Sequence, residues 1–161
     1  MDLAEKFKIV PVASDMDVAG SATNPCDSIN MKGYHHATFI VNFQTLGGAD
    51  LHCKVYSGAT AAALTSALTF RYAFAGAAAT AANADVLAAT STSADLTIAH
   101  ATYDNYMLVI DIDASEMDVA NGEEWLTLSF PDDATGSTGN LSAVAILQPR
   151  YTSDRSATAL V

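Results

Sequence analysis

The stretch that decides the fold covers residues 103–130, YDNYMLVIDIDASEMDVANGEEWLTLSF. Its first part sets Tyr106, Leu108, Ile110 and Ile112 at alternate positions, with Met107, Val109, Asp111 and Asp113 between them. A two-residue period is what a strand with one face in a core requires. The last part repeats it, with Leu126, Leu128 and Phe130 against Trp125, Thr127 and Ser129. Residues 113–124 are too polar and turn-rich to continue either strand. Residues 114–117 suit one helical turn, and Asn121-Gly122 is a turn signal. The unit is strand, acidic connection, strand, and it carries no catalytic motif.

The same period recurs on both sides. Ala37, Phe39, Val41 and Phe43 alternate with polar neighbours, and Leu46-Gly47-Gly48 leads into Leu51, Cys53 and Val55. Two alternating runs around Gly-Gly predict a hairpin. Leu68, Phe70, Tyr72 and Phe74 predict one further strand, and Leu96 and Ile98 another. Residues 76–94 are alanine-rich without an amphipathic stripe, which predicts a loop with a short strand near 85–88. Residues 131–140 read as an exposed loop. Residues 141–147 are apolar at odd and even positions, so that strand is expected to be buried on both faces. Seven or eight strands with short connections predict an all-β antiparallel β-sandwich, with jelly-roll topology as the leading arrangement.

Three segments follow from this reading. Residues 1–27 form an extended N-terminal arm and tether, 28–152 the β-sandwich body, and 153–161 a C-terminal tail. Pro11 suits the arm to an edge position, because it has no N–H to give a central ladder. Residues 13–27 show no periodicity and read as the tether. Such an arm has two fates, folding back to complete its own sheet or pairing with a neighbour. On the second, preferred reading, Phe7, Ile9 and Val10, with the basic Lys6 and Lys8, are the arm residues expected to bind a neighbouring subunit or shell. On that expectation, a chain lacking residues 1–12 still folds but oligomerises or binds its shell poorly.

Composition narrows the function classes. A chain of 161 residues fits one domain with a proper core. No apolar run reaches the roughly 18 residues that cross a bilayer, so no membrane partner is expected. The first ten residues, MDLAEKFKIV, lack the apolar core of a secretory signal. The net charge is −11, and no Lys or Arg occurs between Arg71 and Arg150. Such a body repels phosphate backbones, so no nucleic-acid partner is expected. Cys26 and Cys53 are too few for a disulfide scaffold and read as free thiols, Cys53 on a strand.

Candidate chemistry is sparse. Asp111, Asp113, Ser115, Glu116 and Asp118 cluster oxygen ligands, but an EF-hand counted from Asp111 would have Glu116 where Gly is needed and Gly122 where a carboxylate is needed. A solvated acidic edge is the better reading. Adjacent His35 and His36 point to opposite faces of a strand, and nothing spaces them with His52 or His100 as zinc ligands. No Gly-x-Ser-x-Gly elbow or phosphate loop occurs, so neither an enzyme nor a cofactor nor a metal is expected. Trp125, the single tryptophan, and Tyr151 are the candidate interface residues, with packing against a neighbouring strand as the plainer role for Trp125.

Five strings carry a resemblance: KFKIVPV (6–12), SINMKGYHHATFIVNF (28–43), LTFRYAF (68–74), TYDNYMLVIDIDASEMDVANGEEWLTLSF (102–130) and AILQPRYT (145–152). Together they resemble small virion structural proteins of tailed bacteriophages, and most of all the head decoration, or capsid cement, proteins. The resemblance implies a non-enzymatic protein on the outer capsid surface of the virion, made in the host bacterial cytoplasm. It implies the major capsid protein of the phage head as partner, and self-association as a homo-oligomer, trimer or dimer. A tail, neck or fibre-base component of the virion and a carbohydrate-binding β-sandwich module are the alternative readings.

Overall fold

In the computed structural model, which describes residues 3–20, 23–132, 136–151 and 158–160, two antiparallel sheets pack face to face. The strands are β1 (Lys8–Asp17), β2 (Ile29–Asn30), β3 (Tyr34–Phe43), β4 (Leu51–Gly58), β5 (Ser66–Leu68), β6 (Phe70–Phe74), β7 (Ser91–Ser93), β8 (Leu96–Ile98), β9 (Met107–Asp113), β10 (Trp125–Ser129) and β11 (Asn140–Pro149). The larger sheet runs β1-β11-β3-β9-β6-β7 and the smaller β2-β10-β4-β5, with β8 also on β4. Two single-turn helices, α1 (Leu3–Lys6) and α2 (His100–Tyr103), lie at the margins. The expected all-β antiparallel sandwich is the fold.

Alternation builds the core. Leu108, Ile110 and Ile112 of β9 are fully buried while Met107, Val109 and Asp111 stay partly exposed. Their neighbours on β3, Ala37, Phe39 and Val41, are also fully buried. From the facing sheet come Leu126 and Leu128 of β10 with Cys53 and Val55 of β4. Phe130, just beyond β10, meets Phe43 edge-on at 5.9 Å across the two layers. Each fully buried side chain of this size stabilises the fold by about 1.5–3 kcal/mol relative to exposure.

The connections depart from the expectations at several points. The predicted hairpin of β3 and β4 does not form, because β3 joins the larger sheet and β4 the smaller. Gly47 and Gly48 instead turn a corner between layers: Gly47 exchanges backbone hydrogen bonds of 2.9 Å with Thr138. At Gly48, with φ +78°, a side chain would meet the Gly136 carbonyl at 1.8 Å. The single strand predicted over residues 68–74 is cut at Thr69, so that β5 serves the smaller sheet and β6 the larger. Near 85–88 only an isolated bridge, Ala75 to Leu87, is present, and the strand of that region is β7. β11 is buried on one face: Leu141, Ala143, Ala145 and Leu147 point inward, while Val144 and Ile146 are partly exposed. Gly122 ends the turn Val119–Asn121 with φ +75°, as its Asn-Gly signal requires.

The N-terminal segment also differs from the expected arm and tether. β1 continues to Asp17 and pairs along its length with β11 of the same chain, from Lys8–Leu147 to Asp17–Asn140. The register shifts after Pro11, at the sheet edge where a proline is tolerated. Val10 and Val12 are 2% exposed and belong to the core. Residues 24–27 then bridge the layers, with Cys26 N–H donating to the Leu128 carbonyl and Asp27 N–H to that of Val12, both at 2.8 Å. The expected tail, 153–161, falls largely outside the described residues, although Ala159 is buried and its carbonyl accepts from Asn30 N–H at 2.9 Å.

A chain lacking residues 1–12 is therefore expected to lose stability rather than remain an intact body. Val12→Ala should lower unfolding stability by roughly 1–3 kcal/mol, and Ile9→Ala, at a half-exposed position, by much less. Urea unfolding measures both, and equal effects would remove β1 from the core.

Candidate functional site

Three of the residues singled out for binding, Lys6, Phe7 and Tyr151, meet at one corner. α1 and the start of β1 supply Glu5, Lys6 and Phe7; the end of β11 and its continuation supply Gln148, Pro149, Arg150 and Tyr151. They enclose a surface recess of about 350 Å3. Lys6 and Phe7 thus share a site with Tyr151, which is 72% exposed. Leu3 and Ile9 are exposed on the same two elements. Arg150 is fixed at the rim: its N–H donates to the Gly33 carbonyl at 2.8 Å and its Nε to the Tyr34 carbonyl at 3.2 Å. Three of the seven basic residues of the chain, Lys6, Lys8 and Arg150, belong to these elements. Apolar contact and positive charge are therefore offered together, on a body whose net charge is −11.

Two of the expected binding residues are placed elsewhere. Val10 faces the core and cannot fill a neighbour's pocket while β1 stays in its sheet. Trp125 is half-buried in β10, between Asn30 of β2 and Gly58 of β4. The missed member of the corner is Arg150. Its place beside Lys6 depends on β1 lying next to β11, a pairing of the two ends of the chain that local sequence does not express.

The acidic connection is bonded within the chain. His36 Nδ1 lies 2.9 Å from an Asp113 carboxylate oxygen and Nε2 lies 3.0 Å from one of Asp111. Thr38 donates to Asp111 at 2.6 Å. Arg71 reaches Asp113 at 2.7 Å and Glu116 at 3.2 Å, and Asp113 N–H donates to Glu116 at 2.8 Å. Cross-strand register explains the meeting, since Asp111 stands opposite Thr38 on one side and Arg71 on the other. The expectation of a solvated edge missed these partners. A register shift between Gln148 and Pro149 lets His36 share the outer face with them while Tyr34 turns inward.

Burial opposes the charge on His36, but its hydrogen bonds to Asp113 and Asp111 outweigh this and raise its pKa. The bond to His36, with help from Arg71, lowers that of Asp113. Two other histidines also meet carboxylates. His52 and Lys54 both bind Asp95, and His100 binds Asp50 through its backbone N–H and its ring. Among the described residues, no group of three or more His, Cys, Asp or Glu is arranged to hold a metal.

A second recess of about 350 Å3 lies between Met31, Met117, Val119 and Glu123, with Arg150 on its wall as well. Glu123 is only 5% exposed, and its carboxylate accepts from Ser57 at 2.5 Å and Ser66 at 3.0 Å. These bonds pin the acidic connection onto β4 and β5. Both cysteines are free and buried. Burial, with the nearby charge of Asp27, pushes the Cys26 thiol up to about 12, and burial pushes Cys53 well above its ordinary value. A scan of the chain against protein-family models finds no match, and a search of curated proteins finds none either.

Two outcomes are expected. The raised His36 pKa stabilises the fold fully below the unfolded imidazole value and is lost as pH climbs through the folded one. The lowered Asp113 pKa acts above the unfolded carboxylate value and is lost as pH falls through the folded one. The cluster therefore stabilises most between the two ordinary values. His36→Gln should flatten the alkaline side of a melting-temperature profile against pH, and an unchanged slope there would show that His36 does not set it. Native protein should react slowly with a thiol reagent and denatured protein at once, because a thiol so hard to ionise is a poor nucleophile. Equal rates would place the thiols at the surface.

Proposed function

We propose that this chain is a non-enzymatic structural protein of a tailed-bacteriophage virion, a capsid decoration or cement protein that binds the assembled shell of major capsid protein and stabilises it. The observation that carries the reading is the corner where Lys6, Phe7, Arg150 and Tyr151 line one recess. Such a corner suits an acidic and apolar surface on a neighbouring protein, with Tyr151 and Phe7 as anchors. Repeated over many identical shell sites, a modest contact of this kind gives stable coverage. The protein would then sit on the outer capsid surface after synthesis in the host cytoplasm.

The strand order supports a jelly-roll reading of the sandwich. Taking β1, β2, β3, β4, β5, β9, β10 and β11 as eight strands in chain order, one sheet runs first-eighth-third-sixth and the other second-seventh-fourth-fifth. Nested Greek keys produce that pairing, and viral capsid domains are among the proteins built on it. Fold alone does not fix function. The jelly roll adds weight only beside the corner, and β6 and β7 extend its larger sheet beyond the sixth strand.

Tyr151→Ala combined with Ile9→Glu should leave the melting temperature near that of the parent chain. It should reduce co-sedimentation with undecorated capsids by roughly tenfold or more, as loss of an anchor residue does. Full binding by the double variant would remove the corner from the interface. Failure of the parent chain itself to bind capsids would overturn the decoration role.

A further inference from the structure

Of the seven asparagines in the chain, one precedes a glycine: Asn121, followed by Gly122. The other six precede Pro25, Met31, Phe43, Ala84, Tyr106 and Leu141. The distinction is chemical. The side-chain amide carbon of an asparagine lies one ring closure away from the backbone nitrogen of the next residue. Glycine, with no side chain, leaves that nitrogen open to approach. Asn121 and Gly122 are both exposed, at the end of the single turn Val119–Asn121. Among the described residues, nothing lies within 4 Å of where a Gly122 side chain would begin, so no packed group blocks the closure.

The folded turn holds both reacting groups. Asn121 Nδ2 donates to the Asp118 carboxylate at 2.7 Å, and Gly122 N–H donates to the Val119 carbonyl at 3.0 Å. The Asp118 carbonyl accepts from the N–H groups of Asn121, at 3.1 Å, and Glu123, at 3.2 Å. Behind the turn, Ser57 and Ser66 anchor the Glu123 carboxylate. For the Gly122 nitrogen to reach the amide carbon, it must leave Val119 and the amide must leave Asp118. A single turn whose residues 119–122 are all exposed opens locally at a small part of the cost of global unfolding.

We propose that Asn121 is a site of spontaneous covalent modification, converted to aspartate and isoaspartate through Gly122, and that the closed turn holds the conversion back. The Gly122 nitrogen bonds to the Asn121 amide carbon while the bond from that carbon to Nδ2 breaks. Nδ2 leaves as ammonia, which takes up the Gly122 nitrogen's proton by way of solvent, and a cyclic imide remains. Water then opens the imide. Breaking the new bond leaves aspartate. Breaking the original peptide bond leaves isoaspartate, whose main chain runs through the former side chain and is one carbon longer. Water is the only co-reactant. Either product adds one negative charge beside Asp118, Glu123 and Glu124. Isoaspartate also lengthens the chain directly ahead of Glu123, the residue that pins the acidic connection to β4 and β5.

The test is incubation of the full chain at mildly alkaline pH, folded in buffer and unfolded in urea. Proteolysis and mass spectrometry then follow the peptide that carries Asn121, and enzymatic methyl transfer reads its isoaspartate. Asn121 should convert in both, with isoaspartate among the products, and faster in urea. Asp118→Ala should speed conversion of the folded protein by roughly threefold to tenfold, the factor carried by one lost hydrogen bond, and leave the rate in urea unchanged. Asp118→Asn, which keeps an acceptor oxygen, should stay near the parent rate. Gly122→Ala should slow conversion in urea, where only access to the nitrogen counts. If Asp118→Ala melts early, the parent chain in buffer and in urea still decides, since that comparison needs no variant. Asn121 unchanged in urea, aspartate without isoaspartate, equal rates for folded and unfolded chains, or a folded Asp118→Ala chain converting at the parent rate would overturn the proposal.

Discussion

The meeting of two rows of inward side chains holds the rest of this structure in place. Phe39, Ile110 and Leu147 from one layer face Leu126, Leu128 and Val55 from the other, and each row exists because its strand alternates. A one-residue slip in any central strand would turn its apolar row outward and bring Asp111 or Thr38 into the core. Register is therefore fixed by the core. The surface clusters inherit it: Arg71, Asp111, Thr38 and His36 come together because Phe70, Ile110, Phe39 and Ala37 have already been placed.

That dependence explains what could be read from the chain. The period of two gives a strand's existence and its buried face, so β3, β9 and β10 and their core residues were legible. It does not name a strand's partner. The turn at Gly47-Gly48 was recognised, but whether a chain leaving such a turn stays in the same sheet is decided by what else competes for the edge. Here β11 and β9 occupy both edges of β3, and β4 is left to the facing layer. The break at Thr69 was invisible for a related reason, since apolar residues alternate straight through it while the hydrogen-bond partners change.

The candidate sites divide in the same way. Lys6, Phe7 and Tyr151 could be singled out as residue types, yet their convergence rests on the pairing of β1 with β11, 127 positions apart at the bond between Asp15 N–H and Ser142. Val10 looked equally available, because an apolar residue in an irregular context gives no sign of which layer will take it. The acidic connection looked solvated because its partners, Arg71 and His36, lie 42 and 77 residues from Asp113 in sequence. Local composition records the charge that is present. Only the sheet order records how it is compensated.

The position of β11 between β1 and β3 has a consequence for how the chain is made. β3 has one long edge that is covered by residues 140–149, and those residues leave the ribosome after every other described strand. During synthesis, ten residues of β-prone sequence that include Phe39, Ile40 and Val41 wait with that edge unpaired. The first strand cannot dock in its place without taking the wrong neighbour. Contacts of such long sequence separation form slowly, and waiting edges invite pairing with other nascent chains. Yield in the cell should therefore respond to translation rate and chaperone supply more sharply than the stability of the finished sandwich would suggest.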